Sequence, residues 1–484
     1  MRRLEAFRGE RARLPLHRAE CQLIVVLAAH LCFLPWALGT MHVWSQWVSF
    51  GLAIFELGLA LRARSHEERE RRRPLSQLLH FPVFWIGLLF LVYLAIQGLN
   101  PSLRYTRTEV SWWLESVKNI PWLPTSIEAP FETSNPWRQL VIYGSSWMVA
   151  CSAWVGLTRR RSWRILLVVL ATNAVALGAV LLIQRAAGDG RLPGPLGEFT
   201  ERSDLTATFV YHNHAGTYLG LMTFAAVALA TWGYDQGVRT QKKSTPAAAL
   251  ALLALFLVGS VLFTLSRGAS IVLAGMLSAF ALWAYMRHRL RPVDVGSDSR
   301  VTIVLSVFFV AFVLFIVRSI DFSSVYNRFD ALIQGRSAGF SVHSRMEARE
   351  AGLALLEDHG LRGLGSGGFR HLFPEYVCRY PDIYERGHLF WEHVHNDWLE
   401  FPIELGLAGM LILAAMAGYW LTLLFRSRAV WHSSMVPILF GCLGTLLHAW
   451  IDFPFQCPAI LVTWCFLVTM ACRYLSLEVA RRAR

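Results

Sequence analysis

Apolar residues run along this chain in long blocks, each separated from the next by a shorter polar or Arg-rich connector. About twelve blocks are long enough to form the ~20-residue helix that crosses a ~30 Å hydrocarbon layer. They fall near 21–39, 43–61, 79–99, 138–157, 164–185, 212–233, 247–265, 269–286, 301–320, 397–424, 434–455 and 457–473. The pattern predicts an all-α, polytopic integral membrane protein of about 12 transmembrane helices. A large, partly helical loop is expected over 321–396, between the ninth and tenth spans. Inside it, Ser344 to His359 has the spacing of an amphipathic helix, and Gly360 stands where such a helix stops. The connector 100–137 is rich in Trp and Pro and suits a segment lying at headgroup level.

Composition agrees with the pattern. The chain is 55% hydrophobic and only 16% charged, against ~25% charged in ordinary soluble domains. Its Arg-rich start leads into an apolar block without a small-residue cleavage site, so no cleaved signal peptide is expected. The net charge of +13 would suit a nucleic acid, but its distribution does not. The basic runs 1–20, 62–73, 159–164, 241–243, 287–291 and 481–484 occupy alternate connectors. With an even number of spans they share one side, the cytoplasmic one, and face membrane lipids. No basic face interleaved with aromatics accompanies them, so nucleic acid is not an expected partner. Seven of the eight cysteines lie in or beside apolar blocks, as small hydrophobes do. Only Cys378 sits in a long loop, and a bridge to Cys457 is conceivable.

The polar residues that remain point to chemistry. His393-Val394-His395-Asn396-Asp397 abuts the start of the tenth block, and ionisable groups at such a place are expensive enough to imply a function. Two His and a carboxylate suit zinc, but the spacing is not that of a helical HExxH site. A helix cap and an acid/base or oxyanion-positioning role are the other readings. Thr264 to Ala269 forms a tight turn in which Arg267 either snorkels to headgroups or grips a phosphate pair with its planar fork. Arg345 and Arg349 stand one helical turn apart, as a solvated charged face or an anion-binding face. Gly363, Gly365 and Gly368 form a GxGxxG, but a helix precedes it and no nucleotide fold surrounds it. The GLGSGGF stretch is then a plain flexible turn or one whose N–H groups help hold an anion. His448 and Asp452, one turn apart in the eleventh block, are either a structural pair or part of a site.

Together these motifs resemble the bacterial O-antigen ligase/polymerase superfamily. The signature His395-Asn396, nine residues, then Gly406-Leu407-Ala408-Gly409 is similar to that family's. So, in the same order, are Ser266-Arg267-Gly268-Ala269, the GLGSGGF loop and the span His448 to Ala459. The likeness covers roughly residues 200–460; the first 200 match in hydropathy alone. It divides the chain into N-terminal transmembrane helices (1–200), a ligase-like catalytic membrane region with the periplasmic loop 321–396 (201–460), and a last span with a basic cytoplasmic tail (461–484).

The resemblance implies a metal-independent, inverting glycosyltransferase without cofactor, multi-pass in the bacterial inner membrane, with its active site facing the periplasm. Its donor would be an undecaprenyl-pyrophosphate-linked glycan. Its acceptor would be a glycan repeat unit, lipid A-core or a protein hydroxyl, the last making it a protein O-oligosaccharyltransferase. His395, with Asn396 beside it, takes the acid/base role, and Arg267, Arg345 and Arg349 the donor pyrophosphate. Asp397, Gly365, Gly367 and Asp452 support them. One departure stands out: relatives often carry Arg-Asn-His where this chain has His212-Asn213-His214, which passes that cation's task to His212 or Arg202. Met410 is also larger than the residue usual after the signature. The rival reading is a flippase or other transporter of lipid-linked glycans, which should show repeats and helices broken at the midplane.

Overall fold

The computed structural model describes residues 16–62, 74–188, 190–192, 204–240, 245–290, 340–380, 383, 391–429 and 432–482. Arg202 and the predicted ninth span, 301–320, lie outside them. The first half runs α1 (Arg18–Trp36), α2 (Val43–Ala60), α3 (Pro74–Leu79) and α4 (Pro82–Leu99), then a small sheet, then α5 (Pro136–Gly156) and α6 (Arg160–Ala187). The second half runs α7 (His212–Thr240), α8 (Ala247–Phe263), α9 (Arg267–Leu290), α10 (Phe340–His359) and α11 (Phe369–Val377). It ends with α12 (Asp397–Arg426), α13 (Val436–His448) and α14 (Pro458–Arg482). Among the described residues eight helices are long and apolar enough to cross a membrane: α1, α2, α4, α6, α7, α9, α12 and α14. The protein is a predominantly helical, polytopic membrane protein.

The main core lies where α1, α5, α6, α7 and α14 meet, around Leu27, Val149, Leu170, Leu219 and Phe466. Lipid competes for apolar side chains as well as a protein interior does, so close packing and buried polar pairs hold such a bundle. One such pair is His30 and Glu56, 2.9 Å apart and fully buried between α1 and α2, with Ser49 2.8 Å from the other imidazole nitrogen. Leu89, Ile271, Leu411 and Phe425 stay exposed on the spans, as lipid-facing residues should.

Three local results shape the site. The first concerns the connector 100–137, which carries a small sheet. β1 (Pro101–Arg107) pairs antiparallel with β2 (Trp112–Ser116) and parallel with β3 (Ser126–Glu128). Leu103, Tyr105, Leu114 and Ile127 then pack on a second core built from α10, α11 and the start of α12. Alternation along Leu103-Arg104-Tyr105 turns one face inward, a period-2 signal that the Trp-rich composition obscured.

The second result is that α13 ends at His448, short of the predicted 434–455. Residues 449–457 leave the helix through a 3-10 turn at Pro454–Gln456. Pro454 and Pro458 have no N–H to continue a helical ladder, and Asp452 accepts the Phe453 N–H at 2.9 Å. Asp452 therefore sits in an irregular segment, where its carboxylate faces the site instead of a helix face.

The third is the glycine loop, which is neither a flexible turn nor one with idle N–H groups. Leu364 and Gly365 donate to the Ile403 and Glu404 carbonyls at 2.9 Å, and Ser366 N donates to Gln97 Oε1 at 3.2 Å. α12 is kinked at Gly406 (φ 63°, ψ −175°) to receive it, and Leu407 N donates back to the Leu361 carbonyl at 3.2 Å. Gly365 has φ +85°, and a Cβ there would stand 2.8 Å from the Thr125 carbonyl oxygen. Gly365→Ala should therefore unseat β3 and lower stability by roughly 2–4 kcal/mol, strain and overpacking together. Thermal unfolding in lipid nanodiscs measures it; a melting temperature equal to wild type would refute the docking role.

α10 contains the predicted helix 344–359, and Gly360 N closes on the Leu356 carbonyl at 2.7 Å. The conceivable Cys378–Cys457 bridge is not formed: both thiols are free, Cys378 exposed and Cys457 buried against the Gly39 carbonyl.

Candidate functional site

The site is assembled where α12 begins. Asn396 starts that helix, its carbonyl accepting the Leu399 and Glu400 N–H groups at 3.1 and 3.0 Å. Its side chain makes no cap, and its Oδ1 is buried without a partner among the described residues. The residue before it, His395, has φ +55°. Left-handed backbone is uncommon for any residue with a Cβ, and where the surrounding structure enforces it, function is the usual reason. That twist turns His395 away from His393, so the two imidazoles do different things.

His393 is committed to structure. Its Nδ1 is 2.6 Å from Glu400 Oε1, Glu400 Oε2 accepts the Val394 N–H at 2.9 Å, and Gln456 Nε2 donates to Oε1 at 3.1 Å. Burial opposes charge on this imidazole, but Glu400 outweighs it and raises the pKa above 6.5. Glu400 thus staples the polar knot to the first turn of α12. Asp397 is equally engaged: Oδ2 accepts the Phe455 N–H at 2.9 Å, and its own N–H donates to the Ala449 carbonyl at 3.0 Å. Among the described residues no three His, Cys, Asp or Glu side chains are grouped to hold a metal.

His395 is placed differently. Its Nδ1 faces Asp452 Oδ1 at 3.5 Å, an ion-pair distance just beyond a well-formed hydrogen bond. The side chain is 20% exposed, and Nε2 makes no hydrogen bond among the described residues and is not among the occluded atoms. Rings of Phe453, Trp391 and Tyr211 surround the imidazole at 4.8, 5.6 and 6.2 Å. Asp452 is only 1% exposed. Asn213 Nδ2 and the Tyr211 hydroxyl, the latter at 3.4 Å, donate to its Oδ2. Burial disfavours its charge, yet His395 and the imidazoles of His448 and His214 outweigh burial and hold it well below the usual carboxylate range. The dyad is therefore a carboxylate behind an imidazole whose far nitrogen is accessible.

The cations gather beside it. Arg345 donates to the Tyr211 hydroxyl at 3.2 Å, and Arg349 to the Trp450 carbonyl at 2.6 Å. Burial and the like charge of Arg345 lower the Arg349 pKa, so an anion between them would relieve both. Burial, then the Asp452 carboxylate, push the Tyr211 phenol up, which keeps it a hydrogen-bond donor. Arg267 opens α9 and is exposed, with no partner among the described residues. Its neighbour Gly268 packs so close to α13 that a Cβ there would stand 2.7 Å from His448 Nε2. The same construction at Gly216 meets Ser266 at 3.0 Å and Ala269 at 2.7 Å. The 212–216, 266–269 and 448–453 segments, far apart in sequence, therefore converge. Arg267 lies at that junction, and no contact ties it directly to His395.

Residues 249–414 match the family model of the O-antigen ligases. This region of the chain is similar to the O-antigen ligases. The match contains Arg267, Arg345, Arg349, the glycine loop and His395 to Asp397, whereas His212 to His214 and Asp452 lie outside it. No curated protein matches the chain. The partner of His395 thus comes from beyond the matched region, delivered by the 449–457 turn.

Several contributors escaped the sequence reading. Tyr211 and Phe453 looked like ordinary aromatics, yet they stack at 5.2 Å and together wall the dyad. Glu400 carried a legible signal, an acid one turn into an apolar span. Arg185, in the last turn of α6, donates to the Phe263 carbonyl at 2.9 Å and adds a second cation at the Arg267 turn. Gly365 and Gly367 support the site only at a distance, by seating α12. His212 heads α7 with its ring 4.9 Å from Tyr211, and makes no contact with Asp452 as close as those of Asn213 and Tyr211.

Proposed function

We propose that the protein transfers a glycan from a polyprenyl pyrophosphate to an acceptor hydroxyl at the periplasmic face of the bacterial inner membrane. His395 Nε2 takes the proton of the acceptor hydroxyl, whose oxygen attacks the anomeric carbon of the donor sugar. The bond from that carbon to the pyrophosphate oxygen breaks, and the configuration inverts in the single displacement. Asp452 stabilises the imidazolium as it forms. Arg345, Arg349 and Arg267 balance the charge gathering on the departing pyrophosphate, the electrostatic part of the rate enhancement. The observation that carries this reading is the pairing of His395 Nδ1 with a buried carboxylate while Nε2 stays accessible. A helix cap needs no such arrangement, and the match of residues 249–414 to the O-antigen ligase family model supports the reading.

The test is reconstituted protein in nanodiscs with a synthetic undecaprenyl-pyrophosphate oligosaccharide and a panel of repeat-unit, lipid A-core and peptide acceptors. Transfer to one acceptor class is expected, with inverted anomeric configuration and no loss in EDTA. Movement of the donor across a proteoliposome membrane without transfer to any acceptor would replace this reading with a flippase.

A further inference from the structure

A cavity of about 470 Å³ lies away from the His395 dyad, between the sheet connector and the end of α10. Its size is within the roughly 300–1,000 Å³ range of small-ligand clefts. One wall is the loop between β2 and β3, with Asn119, Pro121 and Thr125; the other is Asp358 to Gly363. Both walls are fixed. Asn100 holds the loop by accepting the Ile120 N–H at 2.8 Å and donating to the Ile120 and Pro124 carbonyls at 3.1 Å. The other wall is bonded through the Leu361 carbonyl to the Gly406 kink of α12. A preformed cleft loses little ordering entropy when it binds.

Its chemistry selects a sugar. Asn119 and Arg362 line the cleft, and their side chains have no hydrogen-bond partner among the described residues. Planar amide and guanidinium groups of this kind match vicinal hydroxyls. Between the lining residues Pro121 and Leu123 in sequence stands Trp122, 81% exposed and without a ring contact among the described residues, a flat apolar surface next to the cleft-lining residues along the chain. Amphipathic rings of this type suit ligands that are apolar on one face and wet on the other, as a pyranose is. Asp358 and Arg362 offset each other's charge on one wall, which favours a neutral saccharide over an anionic one. An acyl chain would leave the Asn119 amide and the Arg362 guanidinium desolvated and unpaired.

We propose that this cleft is an oligosaccharide-binding pocket that holds the sugar chain of a substrate remote from the bond being made. The idea rests on the glycan-transfer reading. Binding energy gathered at a distance from the reacting atoms can be used to position them, and the link from Leu361 to Leu407 joins this wall to the helix that begins at Asn396. The pocket would favour long saccharides over single sugars.

Saturation-transfer NMR on the full chain in nanodiscs tests it, with cellotetraose, maltotetraose, chitotetraose and mannotetraose as probes. At least one should bind at millimolar concentration, and Trp122→Ala and the pair Asn119→Ala with Arg362→Ala should each weaken it about tenfold. His395→Ala should bind it as wild type does, so loss of transfer and loss of this pocket are read separately. In the transfer assay, Trp122→Ala should raise KM for a long saccharide substrate and leave a single-sugar substrate unaffected. Binding of none of the four, unchanged affinity in the variants, or quenching of Trp122 fluorescence by brominated lipid, which would mark it as a headgroup anchor, overturns the proposal.

Discussion

Replacing His395 with Ala is expected to reduce glycan transfer by about 10²–10⁴-fold, the usual worth of a positioned general base. The prediction follows from the accessibility of Nε2: no other imidazole in the knot can serve. His393 is held by Glu400 at 2.6 Å. His448 gives its Nδ1 to Thr217 at 2.6 Å, and its Nε2 is buried. The φ of +55° at position 395 raises the question of folding, since Ala tolerates left-handed backbone less well than Asn does. His395→Asn is therefore the better variant. It keeps the backbone, retains a polar group toward Asp452 and removes the base. His395→Asn should match wild type in thermal unfolding and donor binding, His395→Ala should be somewhat less stable, and both should fail in single-turnover transfer. Transfer within threefold of wild type in His395→Asn would remove His395 from the chemistry.

The hydropathy pattern made most of the helical architecture readable. Eleven of the predicted spans have a helix beneath them, and the ninth lies outside the described residues. Periodicity is a local signal, and it erred where tertiary contacts decide. The 434–455 block is apolar enough for one span, but a buried carboxylate and two prolines end the helix at His448. In the 100–137 connector, Trp and Pro pointed to the headgroup level but not to a sheet, and the packing of that sheet on α11 depends on residues more than 200 positions away. The knot His393 to Asp397 was conspicuous because polar groups at a span boundary need a reason. Which of its two His residues is accessible was not legible, because that follows from Glu400 reaching back and from a backbone twist at 395. Asp452 was visible only as an acid near His448. Its position behind His395 depends on Asn213, Tyr211 and the 449–457 turn, three elements that no spacing rule connects.

Asp452→Asn tests that convergence most sharply, since it changes one atom and leaves the volume alone. The carboxylate now faces donors on every side: the Phe453 N–H donates to Oδ1, which also stands at ion-pair distance from His395 Nδ1, and Asn213 and Tyr211 donate to Oδ2. An amide supplies only one acceptor oxygen. Whichever way it is turned, its NH₂ meets donors on one side, and the charge that stabilises an imidazolium is gone. If the NH₂ faces Nδ1, the imidazole is driven to the wrong tautomer, with its proton on the nitrogen that should accept. A loss of about 10²–10⁴ in kcat is expected, with KM for the donor unchanged because the arginines are untouched. Asp452→Glu restores the charge but displaces it by a methylene, so it should recover part of the rate and a neutral variant none. That order separates a positioning carboxylate from a merely structural one, for which the isosteric Asn would be the milder change. Equal kcat in Asp452→Asn and wild type, or a raised KM at full kcat, would show that His395 works without this partner.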